Sequence, residues 1–480
     1  RWSPSNSYSR WSFSGIRDAN FFLEEYKNAD FSELKFDKDY EKEMNRFNRY
    51  PYEVRFLRAY FYFNLVKAYG DVPLVTKVLT EDEANAVQRT PANEVFGFIV
   101  KECDEIADKL PADYTDLVND AANGSNPETG RVTKQAVLAL KARTLLYWAS
   151  PLFNKNNDRD LWKQAAEANK AVIDFCGKNG IKLGDYTDLW GTDNYEADEV
   201  IFARRVGDTS SPETANFPVG MENGNSGNCP SQTLVDAYEM QATGKAWDED
   251  GSGYDPKHPY KGRDPRLSMT IAVNGDEWPD TNPNPLECYV GGRNGAPIAG
   301  TTPTGYYLKK YLDGTTDIST ATSSGGKRHS WITFRLGEFY LNYAEAVFNY
   351  LGSPSAVDAS NDKLKDLSAI AAVNVIRNRN DVDMPSFPDN LSPAEFEKKY
   401  RRERMVELAF EGHRFWDVRR WKDGESQKQV VEMRITKTGE KEFAYERVVK
   451  SRYWDDKMYL FPIPDTERRR NPNLEQNPGW

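Results

Sequence analysis

The 480 residues predict a mainly α-helical fold carrying an inserted, loop-rich and minimally stranded subdomain. Three observations carry that prediction. Long stretches towards both ends of the chain repeat apolar residues at three-to-four spacing, the period of a helix with one buried face. The periodicity stops between 207 and 326, a quarter of the chain that holds 17 of the 32 Gly and 11 of the 26 Pro. Tyr and Trp remain scattered through that quarter, which argues for ordered loops and against disorder. The expected organisation is an N-terminal helical part at 1–206, a loop-rich insertion at 207–326, and a C-terminal helical part with a Pro-rich tail at 327–480.

Taken in order, residues 52–69 set Phe56, Tyr60, Phe63 and Tyr69 on a wide buried face. Gly70, then Asp71, Val72 and Pro73, end that helix, because Gly accepts a left-handed cap and Pro cannot continue. Residues 111–131 are polar and turn-rich and read as a loop. Thr133 caps a helix over 134–149 that closes at Ser150-Pro151, and Ala136, Ala139 and Ala142 let a neighbour approach closely. Together with 161–176 this gives a helix pair of the tetratricopeptide kind, although the period is too irregular for a repeat to be read from the residues alone. Helical spacing returns at 331–351, ending on Gly352, at 363–378 and at 393–412, with an amphipathic continuation to Trp421. From Tyr459 the tail is rich in Pro, so it is extended chain packed on the rest.

Charge and composition remove several function classes. With 63 Lys+Arg against 74 Asp+Glu the net charge is −11, which disfavours a phosphate backbone or an anionic membrane surface, and nucleic acid is not an expected partner. Mean hydropathy is −0.75 and no run reaches the roughly 18 apolar residues of a membrane span. His258, His329 and His413 stand far apart and the four cysteines form no CxxC, so a zinc site has no spacing to support it. Cys103 and Cys176 fall in helical patterns as core thiols. Cys229 and Cys288 lie in Gly/Pro-rich sequence, where a disulfide is open if the compartment is oxidising. The chain begins at Arg1 without an initiator Met or a signal core, and reads as a mature fragment whose targeting segment cannot be read from it.

Catalytic motifs are absent: there is no GxSxG, HExxH, GxxxxGK[ST] or GxGxxG after a strand. A glycosidase stays open on this ground, since its two carboxylates need only meet in space. Glu403, Glu407 and Glu411 share one helical face, interleaved with Arg402, Arg404 and Arg414. Adjacent arginines keep carboxylates ionised, so the expectation is an ion-pair network and not an acid–base pair, with Arg335, Glu338 and Glu345 read the same way. Asp248, Asp250, Ser252 and Gly253 echo part of a calcium loop, but Pro259 stands where the bidentate Glu belongs. No cofactor is expected, with calcium at Asp248 and Asp250 as a weak candidate against the plainer reading of an acidic turn.

The 62 aromatic residues split in two. Trp148, Trp162, Trp416 and Trp421 sit in helical patterns and belong to the core. Trp2, Trp11, Trp247, Trp278 and Tyr289 lie in polar, Gly/Pro/Asn/Ser-rich sequence, where a ring has less reason to be buried. A sugar offers apolar C–H faces and hydroxyl edges, so its site needs an aromatic platform with Asn, Asp, Gln or Arg beside it. RWSPSNSYSRW at 1–11 and NGDEWPDTNPNPLECYVGGRN at 274–294 supply both, the second with Arg293. These six residues are the expected ligand contacts, and a loop ring packed on its own subdomain is the plain alternative for each.

Five segments carry a family resemblance: RFLRAYFYFNLVKAYGDVPLV (55–75), GRVTKQAVLALKARTLLYWASP (130–151), RLGEFYLNYAEA (335–346), RRERMVELAFEGHRFWDVRRW (401–421) and the tail YLFPIPDTERRRNPNLEQNPGW. In this order they resemble the SusD/RagB family of nutrient-binding outer-membrane lipoproteins. The resemblance implies four tetratricopeptide-like helix pairs with the inserted subdomain at about 207–326. It implies capture of an oligosaccharide at the cell surface without catalysis, and delivery to a SusC-like TonB-dependent transporter. A lipid anchor would hold the protein on the outer membrane, through a residue outside this chain. In the family the ligand site is formed by the segment before the early helices and by loops of the insertion, where the six residues fall. A RagB-like peptide binder of the same fold and an all-helical glycoside hydrolase are the alternatives.

Overall fold

A computed structural model describes residues 10–114, 118–119, 126–319 and 326–480. The fold is mainly helical, and its strands pair two by two without closing a sheet. The chain forms two compact units. One takes in the chain up to Asn179 together with Trp416–Gly424 and Trp454–Trp480, and the other is Gly180–Phe415 with Glu425–Tyr453.

The first unit is built from helices Ser14–Glu25, Tyr40–Tyr69, Ala92–Ile106, Lys134–Ala149 and Arg159–Lys178, which pack as tetratricopeptide-like neighbours. Tyr40–Tyr69 begins well before the expected 52–69, and Pro51 lies within it. Thr133 accepts a hydrogen bond from the Ala136 amide and caps Lys134–Ala149, as its sequence predicts. Ala136, Ala139 and Ala142 are fully buried on that helix, where small side chains let its neighbours close in. The tail is not extended throughout, since Asp465–Arg470 forms a short helix after Pro464, and it is fastened by the Phe461 amide, which donates to the Ala68 carbonyl at 2.8 Å, with the Phe461 ring buried. The loop expected at 111–131 falls partly outside the described residues.

The second unit departs from the predicted helices at three places. Residues 331–335 are a strand, antiparallel to Val200–Arg204, and the helix is Leu336–Leu351. The run Trp-Ile-Thr-Phe is β-branched and aromatic, a better strand than helix start. The stretch expected at 363–378 is helical only over Ala369–Arg377, where the Ser368 hydroxyl accepts from the Ala371 amide. Pro393–Glu407 stops short of 412 because Phe410 and Gly412 both have positive φ, and a new helix runs His413–Arg420. An antiparallel hairpin of two nine-residue strands, Gln429–Lys437 and Phe443–Ser451, has no counterpart in the helical reading of this region.

The core of the second unit is charged as well as apolar. Arg266, Arg335, Arg377 and Arg379 are all buried, and so are Glu199, Glu403, Glu407 and Glu411. Arg266 reaches Glu403 at 2.6 Å and Glu407 at 3.0 Å, Arg335 reaches Glu407 at 2.8 Å and Glu411 at 2.7 Å, and Arg377 reaches Glu403 at 2.6 Å. The network is the expected one, but its cations come from other elements. Of the interleaved arginines, Arg402 goes to Glu239 at 2.9 Å and Arg404 to the Asn342 amide oxygen at 2.7 Å. Burial would raise the Glu407 carboxyl, and Arg379, Arg335 and Arg266 overcome it and hold it far below the usual carboxylate range.

Candidate ligand-binding site

A cavity of about 520 Å³ lies in the first unit, between the Ser14–Glu25 helix, the segment that follows Gly70, and the tail. Gly70 makes it: its φ of +73° turns the chain out of the long helix, a conformation that costs a side chain dearly. The segment is then fixed on one side. Tyr62 donates to the Val75 carbonyl at 2.8 Å and accepts from the Val75 amide at 2.7 Å. Buried Asn20 donates to the carbonyls of Val75 and Lys77 while its oxygen accepts from Arg58. A capping box of Thr80 and Glu83 starts the turn Glu81–Ala84. On the far side Asn471 donates to the Val87 carbonyl at 2.8 Å, and Arg89 ties Asp71 to Asn477.

Into this cavity project Trp11 and Phe13, with Pro73, Val75 and Leu79 as further apolar wall and Arg17, Lys77, Asn85 and Arg470 as polar edge. Trp11 is half-buried and is held edge-on by Phe13 at 5.4 Å and Tyr69 at 5.0 Å. An aromatic wall with amides and guanidiniums at the edge can hold an apolar ring face and donate to hydroxyls or carbonyls around it. Of the sequence-predicted residues Trp11 lies here, and Trp2 lies outside the described residues. Arg17, Asn20, Lys77, Asn85 and Arg470 were not singled out from the sequence. The signal for them was the abrupt end of the helix at Gly70-Asp71-Val72-Pro73, which marks a loop thrown outward next to the N-terminal segment.

The other predicted residues lie in the second unit, and the missed hairpin positions two of them. Phe443, Tyr445 and Arg447 alternate along one strand and so point to one face. Tyr289 packs against Phe443 at 5.5 Å, Tyr260 against Tyr445 at 5.7 Å, and the Arg447 guanidinium lies 3.5 Å over the Trp247 ring. Arg447 is itself held by Asp236 at 2.9 Å, so one face of Trp247 is occupied by a fixed cation. Trp278 is buried, packs edge-on to Phe217 at 5.9 Å and donates its indole N–H to the Leu308 carbonyl at 3.2 Å. That ring belongs to the core of the unit. Arg293 is half-buried beside Glu287 at 3.6 Å and donates to the Pro285 carbonyl.

At the acidic turn, Asp248 and Asp250 are exposed, and Lys245 Nζ donates to the Asp250 carbonyl at 2.8 Å. Among the described residues no three His, Cys, Asp or Glu side chains are grouped to hold a metal. The four cysteines are free thiols, and burial raises Cys229 and Cys288 above the ordinary thiol range.

Comparison with known proteins agrees with this architecture. The family described as "SusD family" matches residues 198–480, and one described as "Starch-binding associating with outer membrane" matches residues 2–146. The chain is 24% identical over 459 residues to SusD-like protein P2 of Formosa agariphila, covering 91% of this chain and 75% of that protein. It is similar to the crystal structure of a SusD-like protein from Bacteroides fragilis NCTC 9343, with TM-score 0.76 and 28% identity over 97% of this chain and 84% of the other. A SusD-like carbohydrate-binding protein of the same organism gives TM-score 0.74 and 26% identity over 96% and 84%. The chain belongs to the SusD family.

Proposed function

We propose that the chain binds a glycan, without altering it, in the cavity beneath Trp11, and passes it to a SusC-like TonB-dependent transporter at the outer membrane. The observation that carries this reading is the pairing of Trp11 and Phe13 with a rim of Arg17, Asn85 and Arg470 in one cavity of about 520 Å³. A pyranose can lay its C–H face on such rings and offer its hydroxyls to the rim. The carbohydrate-binding relative and the starch-binding, outer-membrane family description support the ligand class and the location. Among the described residues no helix is long and apolar enough to cross a membrane. The reading without chemistry is supported at Glu403, Glu407 and Glu411, the carboxylates a catalytic reading would use, because each is paired with buried arginines. Within the second unit, half-buried Tyr289 and Arg293, with Trp247, are proposed as contacts of their own, separate from the Trp11 cavity. No metal or cofactor is assigned a role.

The test is incubation with soluble starch, laminarin, xylan, pectin and a peptide digest. Retarded migration in a glycan-containing gel with no new reducing ends supports the proposal. Release of reducing sugar would instead make the protein a hydrolase, and binding of peptides alone would make it a RagB-like peptide carrier.

A further inference from the structure

Trp331 is the one tryptophan among the described residues with nearly half of its surface open, at 47%. It opens the strand that leads into the Leu336–Leu351 helix, and its ring is backed by a column of aromatics. Tyr311 stacks on it at 5.6 Å with 28° between the planes, Trp190 meets Tyr311 edge-on at 5.8 Å, and buried Tyr186 meets Trp190 at 4.3 Å. The foot of the column is locked. Lys310 Nζ sits 4.0 Å from the Trp190 ring centre, donates to the Tyr186 hydroxyl, and pairs with Glu411 at 2.8 Å.

The column is held at a backbone cost. Tyr311 has φ +69°, a conformation rarely taken by a bulky residue and sustained only where the surroundings force it. Nothing in the core needs an exposed indole at the end of this column, because Ile332 and Phe334 already bury the strand's apolar side. Charged groups lie on the segment that leads into this strand and on the strand paired with it. Arg328 pairs with Asp193 at 3.1 Å and Asp208 at 3.4 Å while its own side chain stays half open, and Arg204 faces Trp331 across the strand pair. The segment 193–194 runs along this edge, with Asp193 donating its amide to the Arg328 carbonyl and Asn194 bonding both backbone groups of Ser330.

We propose that Trp331, presented by Tyr311 and Trp190, is a second carbohydrate contact on the second unit, taking the apolar face of one sugar ring with Arg328 and Asp193 at its hydroxyl edge. A pre-formed, rigid indole loses little freedom on contact, and a pyranose offers the flat C–H face that a lone exposed ring can hold where a peptide would need backbone partners. The inference rests on the glycan reading above but uses none of the residues of the Trp11 cavity.

The test is affinity electrophoresis of the full chain and of W331A, W331F and W11A in gels containing soluble starch, laminarin, xylan or pectin. For whichever glycan retards the parent, W331A should bind about tenfold more weakly, W331F should recover most of the loss, and the thermal midpoint of W331A should stay at the parent value. If the parent is retarded and W331A is retarded equally, Trp331 is not a contact, and the Trp11 proposal stands or falls separately on W11A. If the parent is retarded by no glycan, the carbohydrate reading fails and this contact fails with it.

Discussion

At Glu407 three guanidiniums converge, from Arg266 at 3.0 Å, Arg335 at 2.8 Å and Arg379 at 3.0 Å, and none of these side chains is open to water. Removing one member of such a group leaves charge buried without compensation, which costs far more than the pair contributes against an apolar replacement. Glu407→Gln keeps the shape but turns an amide N–H₂ towards cations. It should lower the stability of the second unit by about 3–5 kcal/mol, read as a drop in urea midpoint. Trp11 is the opposite kind of residue, only partly buried, on the wall of a cavity and outside any charged network among the described residues. Trp11→Ala should leave the unfolding free energy within about 1 kcal/mol of the parent and weaken glycan binding about tenfold. Both roles were partly legible: three Glu at four-residue spacing among arginines announced an ion network, and a tryptophan among Ser, Asn and Pro announced an exposed ring. Which arginines answer which glutamates was not legible, because Arg266, Arg335 and Arg379 arrive from segments far apart in sequence.

Among elements, the Leu336–Leu351 helix shows how closely the network sits against backbone. A Cβ on Gly337 would stand 2.6 Å from Arg335 Nη1 and 3.2 Å from Glu407 Oε1. Gly337→Ala gains up to about 1 kcal/mol of helix propensity, yet it must push a buried guanidinium that has no room to move. The net result should be a loss of about 1–3 kcal/mol, measured by urea unfolding, where a free helical position would show a gain. Elements with an unambiguous signature were readable: Thr133 and Ser150-Pro151 bound the Lys134–Ala149 helix to the residue. Trp331–Arg335 was hidden because its apolar spacing continues into the following helix, and only pairing with Val200–Arg204 selects the strand. The hairpin at 429–451 carries charge on its open positions, so alternation there looks like polar surface until the strands meet. Its absence from the sequence reading is the reason Trp247 and Tyr289 could be named but not aligned.

For the whole molecule, buried ionisable groups set a window of pH stability. The carboxyls of Glu403, Glu407 and Glu411 lie below their usual value of 4.5, each opposed by burial and overcome by arginines, with Lys310 adding to Glu411. Their contribution is complete above about pH 4.5 and is lost as pH falls, because the unfolded chain takes up protons first. His329 works in the other direction. Burial disfavours its charge, but Glu213 at 2.9 Å and Asp313 outweigh that and raise it above its usual 6.5. That contribution is complete below about pH 6.5 and disappears as pH rises through the folded value, so Glu213→Gln should lower the urea midpoint below about pH 6.5 and thereby flatten the fall on the alkaline side, while the shape of the acid-side fall stays the same. Fold class and family were legible because five packing segments recur in order, whereas the proposed binding surface could be named only as a set of loop rings, since its geometry depends on where distant loops are pinned. The claim most open to contradiction is that this chain holds a glycan without cutting it. The most direct measurement is electrophoresis of the parent and Trp11→Ala chains in glycan-containing gels, with the same samples assayed for reducing ends. The account predicts retardation of the parent, loss of most of it in Trp11→Ala, and no reducing ends, whereas reducing ends from the parent, or equal retardation of the two chains, would contradict it.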